Sequence, residues 1–336
     1  EPLVRVLAGL LLLWVVSLPP SRQALLAGQD SSSEGEAISS PETRAIAYLA
    51  QEVPLWSKEN HCFSCHNNGD GARALYTARR LSYAVPESSL TETTQWLTRP
   101  LEWDDNRGEP GFSDKRLARI QFAASLVEAF EAGLIDSREI LIQAAESLLP
   151  YQQEDGSWQV DVEAVVGSPV TYGTPLATAM VRKTLEKADR SRFAAAIARA
   201  DDWLLETPVK STLDAAAVVI ALEDRSDPRA EVKVGQCLEL ILGGQASDRG
   251  WGPYRNSPSE PFDTAVVLLA LLSVRERPQM EELIEQGRTY LLQTQLSTGG
   301  WPETTRPPGA QSYAQHISTS SWATLALLLS GKDLER

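Results

Sequence analysis

Five residues, Cys62-Phe63-Ser64-Cys65-His66, have the types and spacing to hold a covalent cofactor. In a Cys-x-x-Cys-His segment two thiols can add to the vinyl groups of a haem while the adjacent imidazole ligates iron, because all three fall within about one turn. The same residues admit two other uses. One is a Cys62–Cys65 disulfide, for which an oxidising compartment suffices. The other is a zinc site using His61 or His66, for which no second ligand pair is obvious. Met180, Met280 and His316 are the residues that offer iron a further axial donor. Immediately after the motif, Asn67-Asn68-Gly69-Asp70-Gly71 reads as a turn capping a helix that begins near Ala72. On that helix Arg73, Arg79 and Arg80 read as a solvated face, with haem propionates as the alternative partners. Cys237 stands apart from the motif and reads as a small core residue.

Two carboxylates draw attention for their position. Asp214 and Asp263 each open a long apolar run, where an Asp near a helix start serves the free N–H groups and the helix dipole. His316 opens a third such run and reads as a hydrogen-bonded residue facing a cavity.

Three stretches share one pattern and must position these groups. Leu148 to Trp158, Leu240 to Trp251 and Tyr290 to Trp301 each end an amphipathic segment in a Gln-rich turn with Gly and Trp. Each is followed by a helix that is apolar nearly all round, such as Asp263 to Leu272. Trp56, Trp103, Trp158, Trp251 and Trp301 are separated by 47, 55, 93 and 50 residues, and the 93 is two periods. Six helix pairs result. The spacing predicts outer helices near 42–57, 89–99, 137–153, 190–206, 229–243 and 279–295. Inner helices are predicted near 70–83, 114–131, 174–187, 212–223, 263–274 and 316–330. A helix apolar on every side must be buried, and an open solenoid would leave one side of the inner set wet. The expected fold is therefore all-α: a double-ring barrel, or α/α toroid, of six hairpins over 42–336, with a cavity at one end.

At this point the chain resembles the squalene-hopene cyclase and prenyltransferase repeat superfamily, most clearly over 137–330. The resemblance rests on Gln153 to Trp158, Gln295 to Trp301 and the looser Gln245 to Trp251, which are similar to that superfamily's Gln-Trp repeats. It implies a structural role for these motifs, tying the ends of outer helices to the next turn. It also directs attention to Glu260-Pro-Phe-Asp-Thr-Ala265, where Asp263, Thr264 and Ala265 match the end of the cyclase Asp-x-Asp-Asp-Thr-Ala motif. Phe262 stands in place of the proton-donating Asp, and the low aromatic content does not suit carbocation walls. Of the zinc triad of protein prenyltransferases only Asp263 and a possible His316 are present, with Ala265 in place of Cys, and the thioester Cys-Gly-Glu-Gln is not found. The expectation is a repeat protein that binds an apolar or isoprenoid-like molecule in its cavity and has c-type haem at Cys62, Cys65 and His66. The alternatives are a divergent lipid cyclase or transferase using Glu260, Asp263 and His316, and a structural or partner-binding toroid with a Cys62–Cys65 disulfide.

Composition narrows the partners. The 336 residues are 43% hydrophobic and carry a formal net charge of −14, which disfavours nucleic acid, whose binding rests on clustered Lys and Arg. Val6 to Leu18 is an uncharged run of 13 residues after Arg5. That is short of the ~18 expected of a spanning helix and reads as a signal peptide over 1–28, with an uncleaved anchor as the alternative. Residues 29–41 read as a disordered linker. The protein is thus expected to be exported, with membrane contact only through the N-terminal segment.

Overall fold

The computed structural model describes residues 39–106, 115–160, 166–306 and 311–331. The expected signal or anchor segment and the linker up to residue 38 lie outside the described residues. Among those described, twelve α-helices follow in order: α1 (Pro41–Asn60), α2 (Ala72–Arg80), α3 (Thr91–Leu97), α4 (Lys115–Glu131), α5 (Arg138–Glu146), α6 (Thr174–Asp189), α7 (Ala194–Glu206), α8 (Thr212–Leu222), α9 (Pro228–Leu242), α10 (Pro261–Ser273), α11 (Met280–Thr294) and α12 (Tyr313–Leu329). All twelve expected helices are present, with shifts mainly at their ends.

The even-numbered helices form a closed inner ring. Each packs on the next, and α12 packs on α2. The odd-numbered helices lie outside, with α1 against both α2 and α12 and α11 against both α10 and α12. The fold is an α/α toroid. Of its inner helices α8 and α10 are apolar nearly all round, and every residue of α8 except Asp214 is buried. The outer helices bury one stripe only. In α9 that stripe is Ala230, Val234, Cys237, Leu238 and Ile241, the spacing of a single helical face. Cys237 is a core residue here, its thiol pushed up to about 11 by desolvation.

The Gln-Trp turns lock outer to inner ring in three equivalent ways. The indole Nε1 of Trp158, Trp251 and Trp301 donates to the carbonyl ten residues earlier, of Leu148, Ile241 and Leu291, at 2.8 Å in each case. The backbone N–H of each Trp donates to a hydroxyl on the following inner helix, from Thr178, Thr264 and Ser320. All three indoles are buried. The Gln that participates stands six residues before the Trp. In the first of these turns it is therefore Gln152, which donates to Gly156 O and to Ala196 O of α7. Gln153, the expected residue, bonds only locally to Tyr151 O.

The last turn closes the ring. Gln295 donates to Pro41 O of α1 at 2.9 Å and accepts from Arg44 at 2.6 Å. Arg288 of α11 bridges Glu42 of α1 and the carbonyl of Leu327. Gly299 lies in the left-handed region (φ 98°), and a Cβ there would sit 2.3 Å from Arg44 O. Gly156 repeats this against Arg199 O at 2.2 Å.

Gly299→Ala should therefore lower the unfolding free energy by at least about 3 kcal/mol, adding a backbone overlap to the roughly 1–2 kcal/mol of left-handed strain. Gly133→Ala, at φ 70° with open space around it, should cost only that strain. Urea unfolding of both variants tests this, and equal losses would mean that the approach to α1 carries no weight.

Candidate functional site

Inner helices that run in one sense give the barrel two distinct ends, and the chemistry-bearing residues divide between them. At the N-terminal end Glu260, which precedes α10, and Asp263, in its first turn, converge on one cation. Arg306, in the loop before α12, donates to both oxygens of Asp263 (2.7 and 2.6 Å) and to Glu260 (2.6 Å), while its Nε reaches Gly167 O at 2.8 Å. The N-cap position is Glu260, and Asp263 stands in the first turn, where its carboxylate takes a backbone hydrogen bond as well as those from Arg306. Complete burial of Asp263 pushes its carboxyl up to about 6 by desolvation, against the opposing pull of Arg306. Asp214, three residues after the true N-cap Ser211, is likewise raised by burial.

His316 does not join this pair. Its ring meets Tyr48 of α1 edge-on, with centroids 5.7 Å apart, and its Nδ1 lies 3.6 Å from Glu303. One residue earlier Gln315 turns the other way, to Arg306 O and Thr304. The acidic pair and His316 suggested by family resemblance are therefore two separate places.

The Cys-x-x-Cys-His segment lies at the same end. His61 is exposed and ends α1 in the left-handed conformation (φ 55°). Cys62 is buried, its Sγ accepting from Trp56 Nε1 at 3.3 Å. Cys65 begins a π-helical segment, Cys65–Gly71, that runs straight into α2. Cys62 and Cys65 stand as thiols, so this structure does not contain the Cys62–Cys65 disulfide. Among the described residues no three His, Cys, Asp and Glu side chains gather to hold a metal ion, and a zinc site at His61 or His66 lacks its further ligands.

The π-helical segment overturns one expectation. Asn67-Asn68-Gly69-Asp70-Gly71 is not a turn but a buried π-helical stretch, while α2 itself begins at Ala72 as expected. Two short approaches require its glycines: a Cβ on Gly69 would meet Gln121 at 2.9 Å, and one on Gly71 would meet Val53 at 2.9 Å. Asn67 and Asn68 donate to the carbonyls of Glu52 and Val53 beside Pro54, the proline inside α1. So anchored, the segment delivers Asp70 to the middle of the ring.

Around Asp70 four parts of the chain meet. Its Oδ1 accepts from the Tyr172 hydroxyl, and its Oδ2 accepts from Gln121 Nε2 and Ser318 Oγ, both at 2.8 Å. Burial raises the Asp70 carboxyl, opposed by Arg73 and by these three donors. Ser318 Oγ is also 2.9 Å from Nδ1 of His66, which is half-buried and whose pKa falls to about 4 through desolvation. A neutral imidazole results at pH 7. With Ser318 donating to Asp70, the consistent tautomer carries its proton on Nδ1 and leaves Nε2 as an acceptor.

Arg73 corrects a second expectation. It is no solvated residue but 4% exposed, with its guanidinium 4.0 Å from the centre of the Trp322 ring. Arg79 and Arg80 are exposed as expected. Beyond Arg73, toward the C-terminal ends of the inner helices, lies a cavity of about 270 Å³. Every inner helix lines it, through Arg73, Ala124, Met180, Ile220, Leu269 and Trp322 among others.

No protein-family model matches the chain, and no curated protein sequence matches it. Solved structures do match. The type II terpene cyclase MstE from Scytonema superposes with a TM-score of 0.57 at 15% identity, over 86% of this chain and 96% of that one. A variant of MstE in complex with geranylgeranyl dihydroxybenzoate, its substrate, matches at 0.55 and 14%, over 86% and 98%. The ent-copalyl diphosphate synthase of Streptomyces platensis matches at 0.53 and 18%, over 79% of this chain and 50% of that one. The protein thus has the α/α toroid fold seen in type II terpene cyclases. No helix among the described residues is long and apolar enough to cross a membrane.

The Arg306 cluster has a measurable pH signature. A carboxyl raised from about 3.9 to about 6 in the folded state holds its proton more tightly when folded, so its contribution weakens stability as pH rises through that window. Removing the guanidinium moves the window upward. Arg306→Met should cost about 3 kcal/mol or more at pH 8, where a buried carboxylate is left unpaired, and clearly less at pH 5. Denaturant titrations at the two pH values decide this, and a loss independent of pH would contradict the assignment.

Proposed function

We propose that this chain is an exported toroid of the terpenoid-cyclase-like class that holds an apolar, isoprenoid-like ligand in its central cavity. The observation that carries the reading is the cavity itself, framed by all six inner helices and walled by Ala124, Val127, Ile220, Leu269 and Leu325. Its volume is near the lower end of the about 300–1,000 Å³ common for small-molecule sites. Apolar wall left wet costs roughly 25 cal/mol per Å², and a guest of matching character removes that cost. The isoprenoid-bearing substrate in the MstE complex occupies a protein of the same fold. Export rests on the N-terminal pattern of Arg5 and the uncharged run after it.

Binding is favoured over cyclisation because the acids named by the resemblance are committed. Glu260 and Asp263 share Arg306, and His316 is directed at Tyr48 and Glu303. A divergent cyclase would have to release this ion pair before either acid could protonate an alkene.

A second feature is c-type haem at the N-terminal end, supported by the His66 tautomer that leaves Nε2 available. Cys62 and Cys65 would carry the thioether links and His66 would ligate the iron, and the group would supply one-electron chemistry when bound. Attachment at Cys62 requires its sulfur to give up the Trp56 indole. Arg73 faces the opposite cavity and is not a propionate partner in this arrangement.

Solvent extraction and mass spectrometry of the purified full chain should reveal an apolar guest. In guest-free protein the neutral dye Nile red should bind with a blue shift, and Leu269→Trp, which fills the cavity, should weaken it at least tenfold. Absence of both guest and dye binding in the wild type would defeat the reading. Expression with a c-type maturation system should give a pyridine haemochrome α-band that disappears in Cys62→Ser/Cys65→Ser. Protein recovered from that system without the band would remove haem.

A further inference from the structure

The cavity has a polar closed end. Arg73, Met180 and Trp322 line it toward the N-terminal ends of the inner helices, Trp322 standing three residues before Leu325 on α12. There Arg73 is buried and poorly served: one face lies on the Trp322 ring, Nη1 points at Met180 Sδ 3.7 Å away, and Nε has no partner. A guanidinium carries five N–H donors, and a thioether sulfur is a weak acceptor. Asp70 is the neighbouring charge, yet its oxygens are taken by Tyr172, Gln121 and Ser318. It balances Arg73 through space without giving it a hydrogen bond. Among the described residues no carboxylate makes an ion pair with Arg73.

A neutral hydrocarbon in this cavity would leave the buried guanidinium donors of Arg73 without acceptors. A ligand with an anionic head would supply the missing acceptors, in a site where a charge-assisted hydrogen bond is stronger than in water. The lysines nearer the mouth do not compete for the head, because Lys183 is paired with Glu223 and Lys187 with Glu131. We propose that the ligand is an amphiphilic acid bound head-first, its carboxylate on Arg73 and its apolar body against Leu269 and Leu325. At roughly 30 Å³ of liquid volume per small group, a cavity of about 270 Å³ accommodates about nine such groups with the head included, the size of a medium-chain acid. This proposal rests on the binding reading above and adds the chemical class of the ligand.

The test compares decanoate with decanol on the guest-free full chain at pH 7.5, by displacement of Nile red and by calorimetry. Decanoate is expected to bind at least tenfold more tightly than decanol. In Arg73→Met the preference should fall to about one, and Arg73→Lys should retain part of it, with circular dichroism confirming that each variant is folded. Equal affinities in the wild type, or a preference that survives in Arg73→Met, would overturn the proposal, and the wild-type comparison stands even where the Met variant does not fold. Nile red binding with displacement by decanol alone would leave the apolar cavity intact and sink the acid head. Failure of the dye as well would sink the cavity reading beneath it.

Discussion

Six helices that each bury most of their surface can escape water together only by facing one another around a common axis, and the rest of the structure follows from that constraint. Burial of each Leu, Ile or Val on them contributes about 1.5–3 kcal/mol, but only if the ring is complete. The hydrogen bonds from Trp158, Trp251 and Trp301 to carbonyls ten residues earlier are individually modest, about 1 kcal/mol net. Their importance is geometric, since each fixes the angle at which an outer helix turns into an inner one. The Gln295 and Arg288 contacts with α1 then join the two ends of the described chain, so that α12 meets α2 instead of solvent.

A closed ring of apolar helices should have an apolar axis, and this one does not. Asp70 and Arg73 enter it from the same stretch of chain, carried by a π-helical segment that two glycines and two asparagines pin against α1 and α4. Buried charges survive only when their surroundings compensate them. Asp70 accepts from three donors, two on inner helices α4 and α12 and one in the loop before α6, whereas Arg73 is compensated by charge but lacks hydrogen-bond acceptors. The layer they form separates the barrel into an N-terminal end with His66, Asp263 and Arg306 and a C-terminal end with the cavity.

The likeness to MstE and to the copalyl diphosphate synthase is a likeness of backbone at 15 and 18% identity. In this chain the carboxylates at the start of α10 are neutralised by Arg306, and a second fully buried carboxylate, Asp70, lies in the π-helical segment that leads into α2. The fold dictates only that something fill the axis, and here a polar centre does.

Much of the architecture was legible in the linear chain. Helix positions followed from a 3.6-residue apolar period and from Trp spacing, both local properties that need no partner to be read. The ring followed from the need to bury the inner set. Within the repeats Gln152 is in register with Gln245 and Gln295, each six residues before its Trp, and its bond to Ala196 on the next outer helix shows that it, not Gln153, joins neighbouring repeats. The groups at the axis were hidden. Asp70 and Arg73 looked like a turn residue and a surface residue because their partners lie elsewhere: Gln121 and Tyr172 are 51 and 102 residues from Asp70, and Ser318 is 248 away. Arg306 had no local mark at all. The sequence by itself determined the twelve helices, their inner and outer roles and the presence of a Cys-x-x-Cys-His segment. Tertiary structure alone decided which charges are buried and what meets them, because desolvation and hydrogen-bond partnership depend on neighbours that the closing of the ring brings together.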